Sequence, residues 1–302
     1  MRRMNTRQAI LTITLFLLLF GASACSSLEE AVPTATVTLP PTSTATVTPS
    51  PSPVPPTATA TPLGCLSQPG KIEQGVVTAT VPSQEFLIYL PPCYSELTDL
   101  RYPVLYLLHG QTYTMDQWVR LGVPQVADEM YLRGESVPFI VVFPNDNYWN
   151  SSPGSTFGVR LVGALVPHID ANYRTIPDRD HRALGGLSRG GGWTAQLGLE
   201  NPGMFGSLGL HSPAIFKGDG YFVDKLMQSI PQESRPRIWL DAGDNDRELK
   251  SIVQFEQSLT RYSYTHEYHF LSGDHSELYW GLHVHEYLKW YAEAWNPQPE
   301  SE

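Results

Sequence analysis

The chain has 302 residues, 41% hydrophobic and only 17% charged, which is enough for one large core under a surface of Ser, Thr, Asn and Gln. Its 20 basic and 30 acidic residues leave a formal net charge of −10. That balance argues against a nucleic-acid partner, whose phosphates need Lys and Arg, and offers no attraction to anionic lipid.

The first residues read as a sorting signal. Arg2, Arg3 and Arg7 precede an apolar run from Ala9 to Phe20, too short to span a bilayer comfortably, and the small residues Gly21, Ala22, Ser23 and Ala24 follow. A Cys directly after such residues resembles a bacterial lipobox. The resemblance implies that residues 1–24 are removed and that Cys25 is acylated, although Ala22 stands where a lipobox usually carries Leu. Loss of the three leader arginines leaves 17 basic residues against 30 acidic, or −13. More than one acyl chain gives stable anchoring, whereas a single chain binds only marginally. The expected location is therefore the outer face of a bacterial cell membrane, or the medium after release. The lipid anchor is the only expected membrane contact.

Residues 25–64 read as a tether. From Ala31 to Pro62 there is no charged residue and no aromatic, and the stretch is almost wholly a Pro, Thr, Ser, Ala and Val mixture that cannot bury a core. At polyproline rise it reaches on the order of 100 Å. Residues 65–297 have the length of one domain, and 298–302 form a short tail. With Cys25 assigned to lipid, Cys65 and Cys93 remain as an even pair in an exported chain, which favours a disulfide.

Within the domain, Gly75–Val81 and Glu85–Leu90 read as strands joined at Pro82-Ser83. Val104–Leu108 and Phe139–Phe143 are short apolar runs between turn residues, as expected of strands buried on both faces. Phe157–Tyr173 has helical spacing of Val159, Val162, Leu165, Val166 and Ile169. Then come a strand at Arg182–Leu187, a helix through Trp193–Leu199, strands at Gly206–Leu210 and Arg237–Leu240, and a helix at Leu249–Leu259. A strand at His266–Phe270 and an amphipathic helix over Leu278–Trp295 close the series. Strands alternating with helices predict a mostly parallel central sheet covered by helices on both faces, an α/β class fold.

Gly186-Leu187-Ser188-Arg189-Gly190 fits the G-x-S-x-G elbow, with an apolar strand before it and a glycine-rich helix start after it. In that setting Ser188 is a candidate nucleophile at the carboxyl end of the sheet, where a helix N-terminus favours developing negative charge. A Ser hydroxyl needs a base, and the base needs an orienting acid; on this type of fold they follow in the order Ser, acid, His. His266, His269, His275, His283 and His285 follow a suitable acid. His275 alone lies in a polar loop between strand and helix, Leu271-Ser272-Gly273-Asp274-His275-Ser276, where an exposed base belongs. Three acids follow the strand at 237–240: Asp241, Asp244 and Asp246. Spacing alone does not choose among them.

Tyr102-Pro103-Val104-Leu105-Tyr106-Leu107-Leu108-His109-Gly110, Ile169-Asp170-Ala171-Asn172-Tyr173-Arg174-Thr175, the elbow with Gly191, and Gly273-Asp274-His275 before Tyr279-Trp280 stand in order along nearly all of residues 75–295. Together they resemble the esterase family of α/β-hydrolases that includes feruloyl and acetyl-xylan esterases, enterochelin esterases, S-formylglutathione hydrolase and mycolyltransferases. The resemblance implies the α/β-hydrolase fold and a serine carboxylic-ester hydrolase that needs no cofactor and no metal. The family's Gly-x-x-Asp pattern falls on Gly243 to Asp246 and so implies Asp246 as the acid, with Asp244 second. Its Gly-x-His pattern falls on His275. Its oxyanion donors, the amides after the His-Gly and after the nucleophile, map to Gln111 and Arg189.

The chain departs from the family pattern at two places. Arg189 replaces Met or another neutral residue, and either draws an anionic substrate or turns away to pair with a carboxylate. Gln111-Thr112-Tyr113-Thr114 replaces a small glycine-rich loop, which alters the substrate mouth. The expected partner is a small-molecule or polysaccharide ester outside the cell, since a glutathione thioester belongs to the cytosol. Acyl transfer to a sugar or lipid is the alternative chemistry, and a surface binding protein without activity is the alternative class.

Overall fold

The computed structural model describes residues 64–146, 156–215 and 220–296. The leader, Cys25, the tether up to residue 63 and the tail at 298–302 lie outside them. Eight strands form one sheet: β1 Lys71–Val77, β2 Gln84–Leu90, β3 Val104–Leu108, β4 Ile140–Pro144, β5 Arg182–Leu187, β6 Ser207–His211, β7 Arg237–Asn245 and β8 His266–Asp274. Their order is β1-β2-β4-β3-β5-β6-β7-β8. The pairs β1–β2 and β2–β4 are antiparallel, and all the others are parallel. The helices are α1 Gln117–Arg120, α2 Val123–Leu132, α3 Thr156–Arg160, α4 Val166–Asn172, α5 Arg189–Glu200, α6 Gly220–Ser229, α7 Leu249–Arg261, α8 Glu277–Leu282 and α9 Val284–Glu293.

The central strands show why apolar runs and not alternating patterns mark them. Along β3, Val104, Tyr106 and Leu108 enter one core cluster, with Phe157, Leu197 and Phe255, while Leu105 and Leu107 enter another, with Trp118, Tyr287 and Tyr291. Successive side chains of a strand point to opposite faces, so a strand covered on both faces must be apolar throughout. Thus α3, α4, α5 and α7 close one face, and α2 and α9 close the other.

Several boundaries differ from the expectations. The first strand runs from Lys71, and Thr78 to Ser83 form the turn. The single helix expected over 157–173 is α3 and α4 joined by a π-helical turn, Leu161–Leu165. There the Val166 N–H reaches back five residues to Leu161 O, directly before Pro167, whose ring has no N–H to continue the regular ladder. The helix expected over 278–295 is broken at His283 into α8 and α9. Strand β8 extends to Asp274, so most of the expected polar loop before His275 is paired with β7. Cys65 and Cys93 form a disulfide with Cα atoms 5.1 Å apart, tying the residues ahead of β1 to those after β2.

Candidate active site

The parallel strands β3 to β8 all end on one edge of the sheet, and the elbow stands at the end of β5. Ser188 follows the last strand residue and precedes α5, with φ 52° and ψ −119°. A non-Gly residue pays for positive φ, and here the surrounding hydrogen bonds enforce it. The Ser188 N–H donates to His211 O (3.0 Å), and its carbonyl accepts from Gly192 N–H (3.0 Å) and Ala214 N–H (2.8 Å). Gly190 is required by close approach: a Cβ there would lie 2.3 Å from Leu108 O.

The base and acid come from the ends of β8 and β7. His275 Nε2 lies 2.8 Å from Ser188 Oγ, and His275 Nδ1 lies 2.9 and 3.1 Å from the two Asp246 oxygens. A carboxylate can only accept, so Nδ1 carries the hydrogen and Nε2 is left to accept from the Ser188 hydroxyl. The side chains of His275 and Asp246 are almost fully buried, at 4% and 0% exposure, so little water competes for this pair. Burial by itself raises the Asp246 carboxyl, but the His275 hydrogen bond and the Glu248 N–H (2.7 Å) outweigh it and hold the group below its ordinary 3.8. The Trp280 ring packs T-shaped against the imidazole, with ring centroids 5.1 Å apart.

The other sequence candidates are elsewhere. Asp244 is exposed and accepts the Gly273 N–H (2.9 Å), lacing the ends of β7 and β8 together. Asp241 is fully buried beneath the elbow and accepts four hydrogen bonds, from His211 Nδ1, Trp239 Nε1, and the Tyr279 and Tyr287 hydroxyls, at 2.8 to 3.2 Å. His269 stacks on Trp239, His266 faces Glu256, and His285 pairs with Glu135. Among the described residues no group of three or more His, Cys, Asp or Glu is arranged to hold a metal ion.

The loop after β3 meets the elbow. Gly110 lies against Ser188 so closely that a Cβ on it would sit 3.7 Å from Ser188 Cβ and 2.9 Å from a Leu187 methyl. The Gly110 carbonyl accepts from His109 Nδ1 (2.8 Å) and Tyr113 N–H (3.3 Å). His109 Nε2 accepts the Asp146 N–H (2.9 Å), so the ring is neutral with its hydrogen on Nδ1. Burial, the leading cause, lowers its pKa below the ordinary 6.5 and favours that neutral form. Carbonyl and N–H point opposite ways across a trans peptide. Fixing the Gly110 carbonyl therefore aims the Gln111 N–H, which has no acceptor among the described residues, away from His109.

The Arg189 side chain takes the second of its two expected courses. Its Nε lies 3.1 Å from Asp146 Oδ2, which also accepts from Trp193 Nε1 (3.1 Å), and both charged side chains are under 10% exposed. Asp146, Gln117 and Glu277, and the His211 and Tyr287 partners of Asp241, are residues that no sequence pattern singles out.

The chain is similar to known esterases. A family model described as "Putative esterase" matches residues 80–291. An endo-1,4-beta-xylanase/feruloyl esterase of Xylanibacter ruminicola is 38% identical over 140 residues, covering 43% of this chain and 19% of that protein. An esterase of Mycobacterium tuberculosis is 34% identical over 129 residues, covering 39% of this chain and 27% of that protein. The chain thus matches about a fifth to a quarter of the length of these curated relatives. A solved ferulic acid esterase superposes with a TM-score of 0.68 at 25% identity, covering 75% of this chain and 100% of that one. The fold is that of the α/β-hydrolases, and the chain belongs to this esterase family.

Proposed function

We propose that the domain hydrolyses carboxylic esters through an acyl intermediate on Ser188. The observation that carries this reading is the unbroken relay from Asp246 through His275 to Ser188 Oγ, with every link between 2.8 and 3.1 Å. Ser188 Oγ attacks the ester carbonyl as its proton passes to His275 Nε2, and Asp246 stabilises the resulting imidazolium. The carbonyl oxygen becomes an oxyanion held by the Gln111 and Arg189 amides, each such donor being worth about 3 kcal/mol in the transition state. His275 returns the proton to the departing alkoxide, leaving acyl-Ser188. A water then gives its proton to His275 and attacks the acyl carbon; collapse releases the acid and restores the Ser188 hydroxyl.

For substrate, the reading favours a feruloylated or acylated polysaccharide ester outside the cell. The similarity to a xylanase/feruloyl esterase and to a ferulic acid esterase supports it. Export, with acylation of Cys25, is part of the same proposal. It rests on the leader and on the Cys65–Cys93 disulfide, which belongs to an oxidising compartment. Ser188→Ala should abolish hydrolysis of p-nitrophenyl acetate while thermal unfolding stays unchanged; turnover that persists in that variant overturns the mechanism. Cleavage of methyl ferulate and of feruloylated xylo-oligosaccharides is expected as well. An enzyme that cleaves the acetate but neither feruloyl ester contradicts the feruloyl half of that substrate reading and leaves the acylated polysaccharide.

A further inference from the structure

Gln117 is fully buried in the first turn of α1, and a buried amide must satisfy both its ends. Its Oε1 accepts the Gly110 N–H at 2.8 Å, and its Nε2 donates to Glu277 Oε1 at 3.1 Å. The orientation of the amide is unambiguous, because a backbone N–H can only donate and a carboxylate can only accept. Glu277 is the first residue of α8, two positions after His275. It is also held by Arg120, at 3.1 and 3.3 Å, and Arg120 in turn is held by Asp116. One side chain therefore links the loop that carries Gln111 to the helix that begins beside His275, across 160 residues of sequence.

Both polar groups of Gly110 are now accounted for. His109 and the Tyr113 amide hold its carbonyl, and Gln117 holds its N–H. The peptide planes on either side of Gly110 are fixed, and the Gln111 N–H inherits its direction from them. We propose that Gln117 is a positioning residue for the oxyanion donor and that its bond to Glu277 keeps this donor in register with His275. The proposal rests on the reading of Ser188 as nucleophile and the Gln111 amide as donor. Gln117 touches no reacting atom; it acts through Gly110. Its contribution falls on the transition state, where the oxyanion exists, more than on the bound ester.

The test compares Gln117→Ala, Gln117→Glu, Glu277→Gln and the exchange Gln117→Glu/Glu277→Gln in the full chain. Reactive sites are counted with a fluorophosphonate taken to completion, and kcat for p-nitrophenyl acetate is expressed per labelled Ser188. Gln117→Ala should lower kcat by roughly 10-fold to 100-fold, with KM moving less than about threefold. Gln117→Glu still accepts the Gly110 N–H but sets a carboxylate against Glu277, so it too should lose kcat. The exchange restores a donor opposite that carboxylate and should recover most of the loss. A merely structural residue would lower the melting temperature or the number of labelled sites and leave kcat per site alone. Unchanged kcat per site in Gln117→Ala overturns the positioning role. If that variant does not fold, the exchange decides: recovery over Gln117→Glu supports the role, and no recovery overturns it. Wild-type turnover without labelling of Ser188 would instead overturn the underlying reading of the site, and the positioning role with it.

Discussion

Ser188, His275 and Asp246 come from three strand ends separated by nearly sixty and nearly thirty residues, yet each does one thing the others cannot. Ser188 accepts an unfavourable φ so that its hydroxyl stands clear of the sheet. Asp246 fixes the tautomer of His275, and a neutral amide in its place can present an N–H to Nδ1 and reverse it. Asp246→Asn should therefore lower kcat by about 10³-fold to 10⁴-fold. Asp244→Asn should stay within about threefold, because Asp244 faces Gly273 and not the imidazole. Steady-state kinetics on p-nitrophenyl acetate measure both, and the reverse ranking would reassign the acid. The elbow and the chain order made these residues legible, and family resemblance separated Asp246 from its neighbours. Gln117, Glu277 and Asp146 were not legible. Their contacts join polar side chains far apart in sequence, and such pairs leave no period and no motif.

Strand β5 was legible to the residue, and so was β3, because burial on both faces demands an uninterrupted apolar run and turn residues mark its ends. Strands β7 and β8 were read four residues too short or more. They continue through Asp244, Asn245 and Asp274, and β8 is an edge strand with alternating exposure, where polar residues pair as well as apolar ones. The break at His283 was hidden for a different reason. Tyr279, Trp280, Val284, Tyr287, Leu288 and Tyr291 all enter one core cluster, so the apolar spacing passes through the break as if one helix were present. The disulfide acts at the other end of the sheet from Ser188: Cys93 follows β2, whose last residues lie beside the start of β4. Closing a loop with a separation of 28 residues restricts the unfolded chain by about 3–4 kcal/mol. Cys65→Ser/Cys93→Ser should lose that much in urea unfolding while keeping kcat for p-nitrophenyl acetate at 25 °C. An unchanged urea midpoint would contradict it.

At the level of the whole molecule, one sheet between two apolar layers delivers the ends of β3, β5, β7 and β8 to one edge, and the chemistry is assembled there. Alternation of strands and helices was enough to predict this arrangement; the antiparallel pairing of β1 with β2 at the sheet's edge follows from the short turn between them. The same packing sets the response to acid. Burial holds His109 below 6.5, and hydrogen bonding holds Asp246 below 3.8 in spite of burial, so at each group the unfolded chain binds protons first. Stability from such groups is fully present above the unfolded value and is lost as pH falls through the folded one. The urea midpoint should therefore decline from about pH 6.5 downward as His109 is driven to protonate, and again below about pH 3.8. A midpoint that rises between pH 7 and pH 5 would contradict this assignment.

The central claim is that Ser188 is the nucleophile, and fluorophosphonate labelling followed by peptide mass mapping tests it most directly. One phosphonyl group per chain on Ser188, with ester turnover falling in proportion to labelling, is the predicted result. Labelling at another residue, or full turnover by protein already blocked at Ser188, would contradict it.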